Sequence, residues 1–155
     1  MVVSTENKNI FETEAKHIAF AINKEGYNDA GFAGAVSAKF WPELANCGVH
    51  EIGTVLSKTV GDKTFHGLVC HSLYEGWGDS QAETIKNCFN SIPVSDDEPI
   101  ATIAIGTGFV GQWSGAVFSQ ILIGMHDSDK NIILNADITL EEVLENCEKN
   151  RRRSK

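Results

Sequence analysis

The sequence lacks several features that would assign it to particular classes of protein. It has no apolar run long enough to cross a membrane as a helix, and residues 1–6 lack the basic and hydrophobic regions of a signal peptide. Its four cysteines include no CxxC pair, so buried free thiols in a reducing cytosol are predicted rather than disulfides or a zinc site. We therefore expect a cytoplasmic protein.

Basic residues are also few. The chain has 13 Lys and Arg against 21 Asp and Glu, a net charge of −8, which argues against nonspecific binding to nucleic acid or to a membrane surface. The one basic cluster is residues 151–155, predicted to be a frayed, solvated tail. No repeat, low-complexity tract or linker interrupts the rest. The 155 residues, 42% of them hydrophobic, therefore predict one domain over residues 1–150.

Apolar patterning predicts alternating strands and helices. A continuous run at Ile18–Ile22 is typical of a central strand buried on both faces, and Val2–Val3 of an edge strand. Two β-rich runs, Ile52–Lys58 and Thr64–His71, flank residues 60–63 and predict a hairpin. The remaining strands are predicted at 101–105 and 131–134, and apolar stripes predict helices at 32–40, 85–92, 117–122 and 140–147. Residues 80–83 and 139–142 have the capping-box pattern, which predicts a helix start at each. The order β-β-α-β-β-α-β-α-β-α implies an α/β fold with a mixed sheet and helices on both faces.

Two glycine-containing loops each follow a predicted strand and precede a predicted helix. The first is residues 24–31 and the second is Gly106–Gly111, with Ser114 as a candidate helix N-cap. This arrangement directs free backbone N–H groups and the positive end of a helix at an anion. Because both loops leave the same edge of the sheet, we expect a phosphate-bearing ligand between them.

Other interpretations of the second loop stay open. The glycines can form a tight turn without any ligand. Gly106–Gly111 also satisfies the dinucleotide pattern G-x-G-x-x-G, with Asp137 as the downstream acid. An NAD-binding oxidoreductase is less favoured, because one strand and one helix after the loop are too few for a second mononucleotide-binding half.

Taken together, the motifs resemble those of macrodomains, the ADP-ribose-binding fold, from Lys8 to Leu134. Residues 8–10 are similar to the family's Gly-Asp-Ile segment, and the strand ending in Asn23 matches in position. Residues 30–33 are similar to Gly-Gly-x-Ala, and residues 106–111 to Ser-Thr-Gly-Ile-Phe-Gly. The resemblance implies a three-layer α-β-α fold that binds ADP-ribose or a derivative of it. No metal or cofactor is expected, because His17, His50, His66 and His126 show no pairing at metal-ligand spacing.

The resemblance also implies roles for individual residues. Asn9, beside Ile10, would accept a hydrogen bond from the adenine amine, and Asn23 would orient the distal ribose. The aromatic residue that packs on that ribose in the family falls at Val110, with Phe109 one place earlier. The diphosphate would be held by the residues of the two glycine loops: Gly31, Phe32, Ala33, Gly106, Thr107, Gly108, Phe109, Val110 and Gly111.

The nearest types within the family hydrolyse ADP-ribose-1″-phosphate or remove terminal ADP-ribose from proteins. The resemblance therefore implies hydrolysis of a group from the distal ribose. The Lys and Asp used by the glycohydrolase type correspond to positions near His71 and Val110, so that mechanism does not carry over. His71 is the candidate general acid or base, because a histidine titrates near neutral pH. A merely structural histidine at a strand end and a noncatalytic ADP-ribose reader are the alternatives.

Overall fold

A computed structural model describes residues 1–78, 81–105 and 115–153. Six strands form the sheet: β1 Val2–Glu6, β2 His17–Asn23, β3 Val55–Val60, β4 Lys63–His71, β5 Pro99–Ile103 and β6 Asn131–Asn135. Four α-helices flank it: α1 Gly31–Lys39, α2 Gln81–Asn90, α3 Gly115–Asp127 and α4 Leu140–Arg153. The order of elements along the chain confirms the one predicted from sequence.

The six strands lie in the order β1-β6-β5-β2-β4-β3. All neighbouring pairs are parallel except the β3–β4 hairpin. The carboxyl ends of β1, β6, β5, β2 and β4 therefore meet at one edge of the sheet, which we call the carboxyl edge. Its opposite, the amino edge, carries the starts of these strands.

Helices cover both faces of the sheet, as predicted. On one face a core containing Ile85, Leu122 and Val143 packs α2, α3 and α4 against the strands. On the other face a core containing Phe20, Val36 and Phe65 packs α1 and two short 3-10 segments, Ile10–Glu12 and Pro42–Asn46. Strand β2 contributes to both cores, because alternate residues point to opposite faces. This double burial explains its continuous apolar sequence.

Local chemistry explains several element boundaries. Thr139 and Glu142 form the predicted capping box of α4: Glu142 N–H donates to Thr139 Oγ1 at 3.1 Å, and Thr139 N–H to Glu142 Oε1 at 3.2 Å. Strand β3 begins at Val55 rather than at the predicted Ile52, because Thr54 N–H closes a turn onto Glu51 O at 3.1 Å. The second predicted capping box includes Ser80, which lies outside the described residues.

The predicted frayed tail is wrong for its first residues. Helix α4 continues through Arg153, and Arg151 Nη2 donates to Asp127 Oδ1 at 2.6 Å. A cation in the last turn also favours helix continuation, because it interacts with the negative end of the helix dipole. All four cysteines are free; Cys70, Cys88 and Cys147 are buried as predicted, whereas Cys47 is only half-buried. Within the described ranges, no helix is both long and apolar enough to span a bilayer.

Candidate functional site

The predicted site residues that the structure describes lie at or beside the carboxyl edge. Strand β2 ends at Asn23, β4 at His71 and β5 at Ile103. Because β2 pairs with both β4 and β5 in parallel, these three ends are adjacent. The second glycine loop, residues 106–111, and the candidate cap Ser114 lie outside the described residues, so the roles predicted for them stay predictions.

The loop after β2 is shaped by two buried asparagines. Asn23 Oδ1 accepts from the N–H groups of Gly26 and Tyr27 at 2.9 and 3.1 Å, and Asn23 Nδ2 donates to Tyr27 O at 2.7 Å. Asn28 Oδ1 accepts from Asn23 N–H at 3.0 Å, and Asn28 Nδ2 donates to Leu44 O at 3.2 Å. Asn23 is thus engaged with its own loop, which differs from a side chain held free for a ribose. Its observed contacts fix the loop's conformation.

Two glycines in this region permit close backbone approaches. Gly26 has φ +87°, and a Cβ there would lie 2.2 Å from Gly48 O, so only glycine fits between the loop and residues 47–48. A Cβ on Gly34, in the first turn of α1, would lie 2.7 Å from the carbonyl carbon of Asp29. The start of α1 is therefore pressed against the preceding loop.

The N-terminus of α1 is open. Its N-cap is Ala30, whose backbone has the extended conformation of an N-cap (φ −131°, ψ 161°) but whose side chain makes no capping hydrogen bond. No acidic residue lies in the first turn. Gly31 has φ +61°, and no atom of the described residues lies within 4 Å of where its Cβ would be. Helix amides and positive dipole are thus exposed to an incoming anion.

The side chains of Phe32 and Ala33 anchor the N-terminus of α1 to the core. Phe32 stacks on Phe11 with ring centroids 5.5 Å apart and meets Phe20 edge-on at 5.6 Å. Ala33 is buried in the same core. Their side chains belong to the core, so only their backbone groups fit the predicted role toward a diphosphate.

Asn9 and Ile10 lie in the segment after β1. Asn9 is exposed and caps the first 3-10 segment, its Oδ1 accepting from Phe11 N–H at 3.1 Å, whereas Ile10 is buried in the core. Asn135, at the end of β6, bonds to both backbone groups of Lys8, the residue before Asn9. Its Oδ1 accepts from Lys8 N–H at 3.1 Å, and its Nδ2 donates to Lys8 O at 2.8 Å. The carbonyl oxygen of the Asn9 side chain therefore sits on a segment held by the sheet.

His71 is buried and lies against Trp77, with ring centroids 4.7 Å apart. Burial lowers the pKa of His71 to about 4, although the charge of Glu25 acts in the opposite direction. At neutral pH the ring is therefore neutral and does not take up a second proton. The expectation of a near-neutral pKa, on which the general acid or base role of His71 was based, is therefore not met in this structure.

Glu25 connects the loop after β2 to the loop after β4. Its carboxylate accepts from Ser72 Oγ–H at 2.6 Å and from Leu73 N–H at 2.8 Å. Desolvation acts to raise the pKa of Glu25, but these hydrogen bonds outweigh it and the net pKa is lowered. The indole Nε1 of Trp77, whose ring packs against His71, is buried and has no hydrogen-bond partner within the described part of the chain. A buried unpartnered donor is uncommon and suits a ligand acceptor.

Sequence reasoning missed four residues of this region: Glu25, Asn28, Trp77 and Asn135. Asn28 offered one clue, since Asn and Asp in a glycine-containing loop commonly bond to nearby backbone. The partners of Glu25 and Asn135 lie 47 and 127 residues away in sequence, so no local pattern indicates them. Across the part of the chain that the structure describes, no group of three or more His, Cys, Asp or Glu is arranged to hold a metal ion.

The architecture matches solved macrodomains over nearly the whole chain. A macrodomain mutant of Oceanobacillus iheyensis, solved with ADPR, superposes with a TM-score of 0.61 at 15% identity, covering 97% of this chain and 91% of that one. The fold is that of a macrodomain. A Trypanosoma brucei macrodomain in complex with ADP matches this macrodomain fold with a TM-score of 0.58 at 14% identity, covering 94% and 66% of the two chains.

An alphavirus protein, P23pro-zbd, matches with a TM-score of 0.62 at 14% identity. The match covers 97% of this chain but only 23% of the alphavirus protein. No protein-family model and no curated protein matches the sequence. The strand order also differs from the 3-2-1-4-5-6 order of dinucleotide-binding domains. The macrodomain fold therefore gives no support to the NAD-dependent oxidoreductase alternative.

Proposed function

We propose that this protein binds ADP-ribose or a derivative, with the diphosphate at the N-terminus of α1. The observation that carries the proposal is the open helix end at Ala30 and Gly31. Among the described residues, no side chain caps its amides and no atom lies within 4 Å of a Cβ built on Gly31, and its first turn contains no acidic residue. In a protein of net charge −8, such a local donor group is a specific feature rather than part of a general basic surface.

The macrodomain fold supports the choice of ligand within the anion class. Two of the matched structures hold ADPR and ADP, both of which carry an adenosine diphosphate. In this chain Asn9 lies at the same carboxyl edge and presents a side-chain carbonyl that can accept from an adenine amine. Its hydrogen bond to Phe11 N–H uses one lone pair of that oxygen and leaves the second for a ligand.

Calorimetry with ADP-ribose, and with ADP and NAD for comparison, tests ligand binding directly. We expect ADP-ribose to bind at least as well as ADP, and NAD to bind less well. Absence of ADP-ribose binding by the folded protein would contradict the proposal. Binding of NAD in preference to ADP-ribose, weakened by substitution of Asp137, would instead support the oxidoreductase alternative.

Two substitutions at Ala30 test where the diphosphate sits. Ala30→Asn and Ala30→Asp both supply the missing N-cap, so each should stabilise the protein by about 1 kcal/mol. Both caps compete with a phosphate for the same amides, and the aspartate adds charge repulsion. Affinity for ADP-ribose should therefore fall in the order wild type, Ala30→Asn, Ala30→Asp, while stability changes in the opposite direction. An Ala30→Asp protein that is stabilised and still binds with unchanged affinity would place the anion elsewhere.

Hydrolysis of a group from the distal ribose, the activity predicted from the sequence, rests on His71 in this proposal. With a pKa of about 4 in the unliganded protein, His71 is neutral at neutral pH and lacks the proton that a general acid gives to a leaving group. Binding without turnover is therefore the function that the described geometry supports better. Release of phosphate from ADP-ribose-1″-phosphate separates enzyme from reader. Turnover that His71→Ala abolishes would restore the catalytic assignment, and turnover that it leaves unchanged would remove His71 from it.

Cytoplasmic location also stays a prediction. It fits the free thiols of Cys70, Cys88 and Cys147, since a reducing compartment keeps thiols unpaired.

A further inference from the structure

Four polar side chains form a chain of contacts across the half of the sheet that is nearer the amino edge. Ser57 Oγ lies 2.6 Å from His66 Nδ1, and His66 Nε2 lies 2.9 Å from His17 Nδ1. His17 Nε2 is 3.8 Å from Glu98 Oε1. The residues come from β3, β4, β2 and the turn before β5, so the sheet register brings them together. We call this set the serine–histidine row.

One assignment of protons satisfies every contact in the row. If Ser57 Oγ–H donates to His66 Nδ1, then His66 Nε2–H donates to His17 Nδ1, and His17 Nε2–H points toward the Glu98 carboxylate. The reverse assignment turns the lone pair of His17 Nε2 toward that carboxylate, which is electrostatically unfavourable. The first assignment makes His66 the proton acceptor of the Ser57 hydroxyl, and it makes His17 the residue that fixes the tautomer of His66.

The exposure of the members differs along the row. Ser57 is exposed, whereas His66 is 1% exposed and His17 is half-buried. Burial, together with the charge of His17, lowers the pKa of His66 to about 4, so that His66 is neutral at neutral pH. A neutral buried imidazole next to an exposed hydroxyl is the arrangement that activates a serine in hydrolases of several folds.

The strand register also directs the backbone N–H of Ser57 away from β4. Thr54 O accepts from Val69 N–H at 2.9 Å, and Val69 O accepts from Gly53 N–H at 2.8 Å, so the carbonyl of Thr54 faces β4. Pairs alternate along an antiparallel ladder, so the Ser57–His66 pair, three residues further, is of the non-hydrogen-bonded type. Because β3 is the last strand of the sheet, the N–H of Ser57 points to the open edge. There it can donate to an oxyanion formed beside its own side chain.

We propose that Ser57 is a nucleophile that accepts acyl groups from small, activated esters, with His66 as its base and His17 as the positioning residue. The substrate class follows from the base: a weakly basic histidine suffices only where the leaving group departs readily. This site is separate from the proposed ADP-ribose site, because His66 lies five residues before His71, the carboxyl end of β4, which is about 16 Å of strand.

The acylation step balances as follows. Ser57 Oγ forms a bond to the ester carbonyl carbon while its proton moves to His66 Nδ1, and the oxyanion receives the Ser57 N–H. The ester C–O bond then breaks, the leaving alkoxide takes the proton from His66, and an acyl ester of Ser57 remains. Water, deprotonated by His66, hydrolyses that ester and regenerates the Ser57 hydroxyl.

A fluorophosphonate probe tests the nucleophile without needing the natural ester. Its P–F bond breaks as Ser57 Oγ bonds to phosphorus, and fluoride and the serine proton leave. The probe is reacted with the folded protein, which is then digested for peptide mass spectrometry. We expect the adduct on Ser57. Thr59→Ala is the matched control, because Thr59 is an exposed hydroxyl two residues along β3 whose Oγ1 bonds Thr64 Oγ1 at 2.9 Å rather than a histidine. This variant should label at the wild-type rate.

Two further variants separate activation from simple exposure. His66→Gln should lower the labelling rate at Ser57 by about 100-fold or more, the lower range for a lost general base. If thermal unfolding shows that it does not fold, His17→Ala, at a half-buried position, is measured in its place and should also slow labelling. Labelling of Thr59 to the same extent as Ser57, absence of an adduct on Ser57 in the folded wild type, or an unchanged rate in the folded histidine variant would each overturn the proposal.

Discussion

The buried His71 should make the protein lose stability as the pH falls from 6.5. Its folded pKa is about 4, against an ordinary value of 6.5. Between these two values the unfolded chain binds a proton that the folded protein does not, so stability is full above pH 6.5 and is lost progressively toward pH 4. A difference of that size corresponds to about 3 kcal/mol, a substantial part of the total for a domain of this size.

Urea unfolding followed by tryptophan fluorescence at several pH values from 7 to 5 measures this effect. Carboxylates with lowered pKa, such as Glu25, act below their ordinary value of 4.5, so this range reports mainly on histidines. The comparison protein is His71→Phe, which keeps a ring against Trp77 but cannot titrate. As the pH falls, the free energy of unfolding of His71→Phe should decrease less steeply than that of the wild type. The difference between the two slopes should reach about 1.4 kcal/mol per pH unit. Parallel slopes, or an NMR titration of His71 with a midpoint near 6.5, would refute the reasoning.

Three substitutions test the supports of the candidate site and the capping of α4. Glu25→Gln should lower stability by about 1 kcal/mol and weaken ADP-ribose binding, measured by urea unfolding and calorimetry; Glu75→Gln, which removes only an exposed ion pair, is its control and should change neither. Gly34→Ala forces a Cβ against Asp29, and we expect a loss of about 1–3 kcal/mol together with weaker ADP-ribose binding; unchanged affinity would show that the loop yields. Thr139→Ala removes the capping box and should lower the free energy of unfolding by about 1 kcal/mol without affecting ADP-ribose binding.

Much of the fold could be predicted because it depends on burial patterns that are local in sequence. The uninterrupted apolar run at Ile18–Ile22 identified a strand covered on both faces, and helical spacing identified the stripes that pack on it. The capping box at residues 139–142 fixed the start of α4. These features require no knowledge of which distant residues meet.

The side-chain partners at the candidate site could not be predicted in the same way. Asn135 bonds to Lys8 across 127 residues, and His66 meets His17 only through the register of β2 and β4. The pKa of His71 depends on how deeply the strand end is covered, which periodicity does not reveal. Arg151 was misassigned to a frayed tail because its partner, Asp127, lies on another helix.

The two asparagines of the loop after β2 fix its conformation before any ligand binds. Asn23 and Asn28 tie that loop to itself and to Leu44, so its conformational entropy is given up when the chain folds and not when the ligand arrives. Because the loop is already ordered, ligand binding does not have to offset the entropy cost of ordering it, and more of the contact energy contributes to affinity. The ordered loop also predicts that free and occupied protein superpose closely there, with association limited by encounter rather than by rearrangement.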